Sequence, residues 1–239
     1  MRWFFGRNYP IVLFIITLIV LGFSAIDVPH PEDFKLEHYM TVIFLFLLVV
    51  SYNHFRLSNI SYTLIFIFLL LHILGAHYTY AEVPYNTWLQ KWFDFNIDEY
   101  FGFERNHYDR LVHFSFGLLF FYPIRELFAR IADTKGFWNL YLPLDVVMAF
   151  SMIYELIEYG VVLVYSDTGV DMTYLGTQGD IWDAHKDMFL ATMGGLIAML
   201  VVMIINIKLN KEFWKELKES FRIKKNKPLG EVEIETWFK

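Results

Sequence analysis

The chain reads LGTQGDIWDAHKD from Leu175 to Asp187 and then continues without a break into a long apolar segment. A helix that begins at about Asp180 would place Asp180 beside Asp183, and Asp183 beside Asp187, on one face. The glycine-containing turn Gly176–Gly179 permits a sharp entry into that helix. Farther along the same face come small residues, which let a second helix approach closely in a bilayer: Ala191, Gly194, Gly195 and Ala198. The pattern predicts a membrane helix with acids at its beginning and a tight packing face below them.

The composition favours a membrane protein over a soluble one. Of the 239 residues, 56% are hydrophobic and 20% are aromatic, whereas soluble domains are typically about 45–50% apolar. The chain has no cysteine, which excludes disulfides, thiolate metal sites and a cysteine nucleophile. Basic residues are clustered towards one end and interleaved with acids, so we expect membrane lipids as partners and no nucleic acid.

Six apolar segments are long enough, or nearly so, to cross a bilayer, which takes roughly 17–25 residues. The predicted fold is therefore all-α: a polytopic bundle of six transmembrane helices within residues 1–209 and an amphipathic tail over 210–239. We place the spans at about residues 10–26, 36–51, 60–78, 109–132, 137–165 and 181–207. The first span has an alternative reading as a cleaved signal peptide. Aromatic residues at positions 3–5 favour an uncleaved interface anchor instead.

The distribution of Lys and Arg orients these spans, because cytoplasmic loops carry the excess of both. One end of the bundle holds the basic residues: Arg2, Arg7, Arg56, Arg125, Arg130, Lys135 and the Lys-rich tail over 208–227. The other end holds the acidic connections, over residues 27–37, 80–108 and 167–180. Both termini are therefore predicted to be cytoplasmic.

Two further helices are predicted to lie on the membrane surface, because each carries an aromatic stripe at helical spacing. The first, Thr87–Phe95, is extracytoplasmic and presents Trp88, Leu89, Trp92 and Phe93. The second, Asn210–Lys225, is cytoplasmic and presents Phe213, Trp214, Leu217 and Phe221 opposite a Lys-rich face. We read both as anchors.

The predicted topology delivers ionisable groups from separate segments to one leaflet. Asp109 and His113 are four residues apart at the start of the fourth span, and Glu155 and Glu158 are three apart in the outer half of the fifth. A charged side chain at the bilayer centre costs at least about 2.5–3.5 kcal/mol on insertion scales. Crowded carboxylates must therefore keep protons, pair with cationic side chains or hold a metal ion.

Mixed Asp, Glu and His ligands suit Zn²⁺, Mn²⁺ or a similar divalent ion. We predict metal ligands among Asp109, His113, Glu155, Asp183, Asp187 and His77. The residues predicted to act as catalytic acids and bases are Glu155, Glu158, His113 and Asp187.

For some of these residues, a purely structural role is an alternative to metal binding or catalysis. Asp109 and Asp180 are placed to stabilise helix dipoles, and His113 alone also reads as a core histidine. Arg110 reads as the partner of the two buried glutamates. His185 and Lys186 are predicted to point away from the face that carries Asp183 and Asp187, towards solvent. At the cytoplasmic end, Arg125 or Glu126 is predicted to pair with Asp145.

Four motifs in order resemble the YjdF-type family of bacterial inner-membrane proteins, a domain of unknown function. They are HILGAHYTYAE at 72–82, NHYDRLVHFSF at 106–116, YELIEY at 154–159 and LGTQGDIWDAHKD at 175–187. The resemblance implies a fold more than an activity. A weaker likeness to the VanZ-like family, which is linked with glycopeptide-antibiotic resistance at the envelope, is limited to Asp109-Arg110, His113-Phe114, Glu155 and a later acid ahead of Gly194. Glu158 stands where that family usually has Gln.

Three functions remain open from the sequence. One is an enzyme that uses a divalent cation, or an acid–base pair, on a lipid or lipid-linked envelope substrate or another small molecule. The second is a proton- or cation-coupled transporter, although the chain shows no repeated half. The third is a structural module whose polar groups only join the helices, which requires balanced partners that an acid-rich set does not offer.

Overall fold

The computed structural model describes residues 6, 8–165, 177–224 and 227–238. Within these residues the protein is helical. Its helices are α1 Tyr9–Ser24, α2 Pro31–Ser51, α3 Asn59–His77, α4 Tyr85–Phe93, α5 Ile97–Phe101, α6 Tyr108–Ile131, α7 Trp138–Tyr165, α8 Asp183–Leu209, α9 Phe213–Glu219 and α10 Leu229–Trp237. The predictions that used Arg2, Arg7, Asp167, Asp171 or Gly176 fall outside the described residues.

The all-helical multipass architecture is confirmed. Five helices, α2, α3, α6, α7 and α8, are long and apolar enough to cross a membrane. The sixth, α1, has 16 residues and spans about 24 Å at ~1.5 Å per residue. It packs against α3 through the buried side chains of Tyr9, Leu13 and Leu69, and the Tyr9 hydroxyl lies 2.8 Å from Thr63 Oγ1.

Two predicted helix starts are wrong, and each correction changes where an acidic residue lies relative to its helix. Helix α2 begins at Pro31 rather than near residue 36, because proline is well suited to the first position of a helix. Glu37, counted from the sequence with the acidic connection over 27–37, therefore lies six residues inside α2 and is 7% exposed. Helix α8 begins only at Asp183, after a turn in which Gly179 has a φ of +88° that favours glycine. Asp180 therefore precedes the helix.

The predicted small-residue face of α8 is confirmed and packs against α6. A Cβ atom on Gly117 of α6 would overlap the carbonyl oxygen of Ala191, and one on Gly194 would overlap the carbonyl oxygen of Phe114. The two backbones are thus in direct contact, as small residues allow in a bilayer. A Cβ atom on Gly195 would instead lie 3.0 Å from a methyl group of Leu144 on α7.

At the end of the bundle opposite the acids, the carboxylate of Glu126 closes the start of α3. It accepts hydrogen bonds from the Ser58 backbone N–H at 2.8 Å and the Ser61 hydroxyl at 2.6 Å, and it pairs with Arg130 at 2.8 Å. The sequence predicts that Arg125 or Glu126 pairs with Asp145. For Glu126 this is wrong, because its ion-pair partner is Arg130, on the next turn of α6.

Helices are present at both positions predicted to lie on the membrane surface. Helix α4 has the predicted length but begins two residues earlier, and α9 is shorter than predicted, with 7 residues. Helix α4 leaves Trp92 and Phe93 exposed, while Trp88 packs edge-on against Tyr78. Helix α9 leaves Trp214 exposed and buries Phe213. The chain after it is tied to the start of α7, because the indole N–H of Trp138 donates to the Ser220 carbonyl at 2.8 Å.

Candidate functional site

The centre of the site is formed by Asp109 and His113 of α6 and Asp187 of α8. Each offers one ligand atom, and the three atoms lie within 4.8 Å of one another. His113 is 7% exposed and Asp187 is 2% exposed. The close approach of α6 and α8 at Gly117 and Gly194 positions these side chains, because it brings the first turns of the two helices together.

Glu155 of α7 joins this centre. Its Oε1 lies 3.4 Å from Nε2 of His113, and Oδ1 of Asp109 lies 3.6 Å from the same nitrogen. Within the described part of the chain, Oε1 of Glu155 and Oδ1 of Asp187 are buried without a hydrogen-bond partner. Most buried polar atoms in proteins are hydrogen-bonded, and a buried carboxylate oxygen without a partner is energetically unfavourable. Binding of a proton or a cation would stabilise both oxygens.

Glu158, one turn beyond Glu155 on α7, extends the acidic set. It is close enough for charge–charge repulsion with Glu155, Asp109 and Glu37. The structure therefore places all four predicted catalytic residues in one region at the same end of the bundle. Their predicted roles remain hypotheses.

Asp183, predicted as a metal ligand, is instead held by two guanidinium groups. Arg105 contacts it with Nη1 at 2.6 Å and Nη2 at 3.3 Å, and Arg110 contacts it at 3.3 Å. Because a bidentate arginine satisfies both carboxylate oxygens, we no longer include Asp183 among the ligands. Arg110 was expected to pair with the α7 glutamates; it contacts Asp180 at 2.6 Å instead.

Asp180 lies outside the helix and is surrounded by donors. Lys186 Nζ lies 2.5 Å away, and the Trp182 backbone N–H donates to Asp180 at 3.1 Å. The hydrogen bond from Lys186, followed by that from Trp182, lowers the pKa of Asp180 to about 2. Lys186 and His185 are both exposed, as predicted.

A second set of contacts joins the residues that precede α6 to the residues that precede α8. The backbone N–H of Asn106 donates to the Gln178 side chain at 3.0 Å, and the Gln178 amide donates back to the Asn106 carbonyl at 3.1 Å. Arg105 also donates to the Thr177 carbonyl at 2.8 Å. These hydrogen bonds hold the first turn of α6, with Asp109 and His113, at a fixed position relative to the first turn of α8, with Asp187.

His77, predicted as a further ligand, lies elsewhere. Its Nδ1 is 2.7 Å from the carbonyl oxygen of Ser24 at the end of α1, and its ring packs edge-on against Tyr78. Its position at the end of α3 allows it to bind the neighbouring helix end, so we do not retain it as a ligand.

The sequence reading missed a buried polar network beside this centre. Glu37 accepts a hydrogen bond from Tyr154 at 2.8 Å and a longer one from Tyr80 at 3.5 Å. Tyr80 also lies 2.6 Å from Nδ1 of His72, and Thr41 lies 2.5 Å from Nε2 of the same ring. Proline at position 31, as a start signal for α2, would have indicated that Glu37 lies within a helix.

Tyr80 follows the end of α3 and is 7% exposed. Burial, and then the proximity of Glu37, raises the pKa of Tyr80 well above its ordinary value of 10.0. The phenol therefore keeps its proton and is available as a hydrogen-bond donor.

A separate groove of about 300 Å³ lies between α1, α2 and α3. Its walls are almost wholly apolar, with Leu45, Ile65 and Leu69 among them. None of the acids of the site lines it. It therefore contributes nothing to the chemistry at the other end of the helices.

The amino-acid sequence was compared with those of known protein families and proteins. A family model described as "Predicted membrane protein (DUF2238)" matches residues 9–208. The chain is 34% identical to the inner membrane protein YjdF of Escherichia coli strain K12 over 186 residues, which is 77% of this chain and 83% of that protein. No solved structure matches the chain. These comparisons give the VanZ-like resemblance no support.

Proposed function

The chain belongs to the DUF2238 family of predicted membrane proteins, and from that premise we propose that it is a membrane enzyme that uses a divalent cation. The cation would be held by Asp109, His113 and Asp187. The substrate would be a lipid or a lipid-linked molecule at the outer face of the membrane, where the distribution of Lys and Arg puts the acidic end. The relative YjdF is named an inner membrane protein, and we propose the same membrane for this chain.

One observation carries this proposal: Asp187, 2% exposed, has an oxygen, Oδ1, without a hydrogen-bond partner in the described residues, and its carboxylate belongs to a group that contains an imidazole and a second carboxylate. An isolated buried carboxylate is strongly unfavourable. A divalent cation between two carboxylates and a neutral imidazole would balance that charge.

The spacing is compatible with a shared ion. Ligand atoms that share a tetrahedral Zn²⁺ at metal–ligand distances of about 2.0–2.2 Å lie ~3.3–3.6 Å apart. The three candidate ligand atoms, which lie within 4.8 Å of one another, would have to approach by up to about 1.2–1.5 Å to share an ion. An imidazole ligand favours Zn²⁺ or Mn²⁺ over Ca²⁺ or Mg²⁺.

The neighbouring groups suit hydrolysis or group transfer. A bound cation polarises a phosphoryl or ester oxygen and lowers the pKa of a bound water. Glu155, 3.4 Å from His113, would accept a proton from that water. The three ligand residues lie one to five residues from the starts of α6 and α8, at most about 7.5 Å along the helix axis at ~1.5 Å per residue.

The metal requirement is tested on protein purified without chelator. We expect about one equivalent of a divalent ion by elemental mass spectrometry in the wild type, and its loss in Asp187→Asn and His113→Ala. Asp133→Asn is the matched control, because Asp133 is exposed and pairs with Lys135 at the other end of the bundle. Full metal retention by both site variants, or none in the wild type after Zn²⁺ or Mn²⁺ is added, would contradict the proposal.

The reaction is tested with vesicles of bacterial lipid extract. Wild-type protein with Mn²⁺ or Zn²⁺ should produce lipid products, detected by mass spectrometry, that Glu155→Gln and Asp187→Asn do not. An unchanged lipid profile together with cation uptake into empty vesicles would favour a carrier instead. Against a carrier, the interior below the acids is filled by the buried apolar side chains of Phe121, Leu144 and Ala198.

A further inference from the structure

The carboxyl group of Glu37 is buried among hydroxyl groups rather than cations. It comes from α2, is 7% exposed and receives hydrogen bonds from Tyr154 of α7 at 2.8 Å and from Tyr80 at 3.5 Å. The neighbouring part of the molecule therefore supplies two neutral donors to one carboxylate oxygen.

The charged and titratable groups around Glu37 do not neutralise it. Those that face it from its own helix and from the elements packed against it are Asp33 and His38 of α2, His72 of α3, Tyr80, Asp109 of α6, and Tyr154 and Glu158 of α7. Asp33, Asp109 and Glu158 are acids, and an ionised Glu37 would be repelled by each of them. A carboxyl group in these surroundings is more stable when it holds a proton.

A line of hydrogen bonds leads from Glu37 back into α3 and α2. Tyr80 lies 2.6 Å from Nδ1 of His72, and Thr41 lies 2.5 Å from Nε2, so both ring nitrogens are engaged. The rings of His72 and His38 are 5.9 Å apart. His38 is 6% exposed, and its Nε2 is buried without a hydrogen-bond partner in the described residues.

We propose that Glu37 is a proton-binding site separate from the cation site, and that His72 and Tyr80 form the relay that loads it. The site takes a proton as its ligand.

The relay balances in protons. A proton added to Nε2 of His72 allows the Nδ1 proton to pass to the oxygen of Tyr80, while the Tyr80 hydroxyl proton passes to the Glu37 carboxylate. His72 is then neutral with its proton on Nε2, Tyr80 is again a phenol, and one proton has moved to Glu37. Tyr154 keeps its own proton and only holds the carboxyl group in place.

The test is infrared spectroscopy of the full chain in lipid nanodiscs at neutral pH without divalent ions, with ¹³C-labelled glutamate to identify glutamate bands. The difference between wild type and Glu37→Gln should contain the carbonyl band of one protonated glutamic acid. Glu104→Gln, which changes an exposed glutamate, should remove only a carboxylate band. A difference spectrum for Glu37→Gln that contains only ionised carboxylate would overturn the proposal.

Two milder variants keep the test decisive if Glu37→Gln does not fold. Tyr154→Phe and Tyr80→Phe each remove one hydrogen bond to the carboxyl group and should shift its protonated band without abolishing it. A protonated band that moves in neither variant would refute the assignment. Because the spectra are recorded without metal, failure of the cation site leaves this result unaffected, and Glu37→Gln should still bind the cation.

Discussion

Arg105 and Asp183, 78 residues apart, form a bidentate ion pair with N–O distances of 2.6 and 3.3 Å. It joins the approach to α6 to the first residue of α8. The side chains are 11% and 3% exposed, so this pair differs from the surface pairs of the chain, which contribute little to stability.

Arg105→Gln should therefore destabilise the protein strongly, because it leaves Asp183 buried with Arg110 as its remaining guanidinium partner. Removal of one partner of a buried pair costs up to about 3–5 kcal/mol in free energy of unfolding. The double variant Arg105→Gln with Asp183→Asn should recover part of that loss. The free energy of unfolding of the two single variants and the double variant is measured by equilibrium unfolding in detergent micelles. Strictly additive effects would show that the pair is not coupled.

Gly117→Ala should disrupt the contact between α6 and α8, because the new methyl group would overlap the Ala191 carbonyl oxygen. Overpacking of a close contact costs typically about 1–3 kcal/mol, and here the obstacle is backbone. We expect a lower thermal midpoint and weaker cation binding. Gly22→Ala is the control, since a Cβ there meets no atom within 4 Å; equal behaviour of the two variants would contradict the packing.

Asp180 should make the stability depend on pH in the acid range. Its pKa is lowered from 3.8 to about 2 in the folded protein, chiefly by Lys186. The unfolded chain therefore binds the proton first, so the stabilisation is present above the unfolded pKa and is lost as the pH falls from about 4 through about 2. Thermal midpoints recorded against pH should fall less steeply in this window for Asp180→Asn than for the wild type. Identical slopes would show that the carboxylate is not held as described.

The orientation of the bundle can be measured directly, because the chain has no cysteine of its own. The excess of Lys and Arg at the end of α6 and in the tail predicts that this end is cytoplasmic. In intact cells, a membrane-impermeant maleimide should label Glu104→Cys and should leave Lys135→Cys unlabelled until the cells are opened. The reverse pattern would invert the topology and place the acidic site in the cytoplasm.

The local signals in the sequence predicted the helices well and their ends less well. Apolar length identified each long helix, because a membrane-spanning segment has to be apolar over most of its length. Helix starts depend on single residues, and the starts of α2 and α8 were misplaced by five and about two residues. In α2 that error hid Glu37, since an acid assigned to a loop gives no reason to expect burial.

The sequence by itself determined that this is an all-helical multipass membrane protein, that acids collect at one end of it, and that α8 has a close-packing face. These properties follow from composition and periodicity, which are local. Only the tertiary structure decided which acids are neutralised: Asp183 pairs with Arg105. In the described residues neither Asp187 nor Glu155 has an oxygen–nitrogen contact with Lys or Arg, and Glu155 lies 3.4 Å from the imidazole of His113. Pairing depends on side-chain distances between segments far apart in the chain, and residue spacing along one helix contains no information about them.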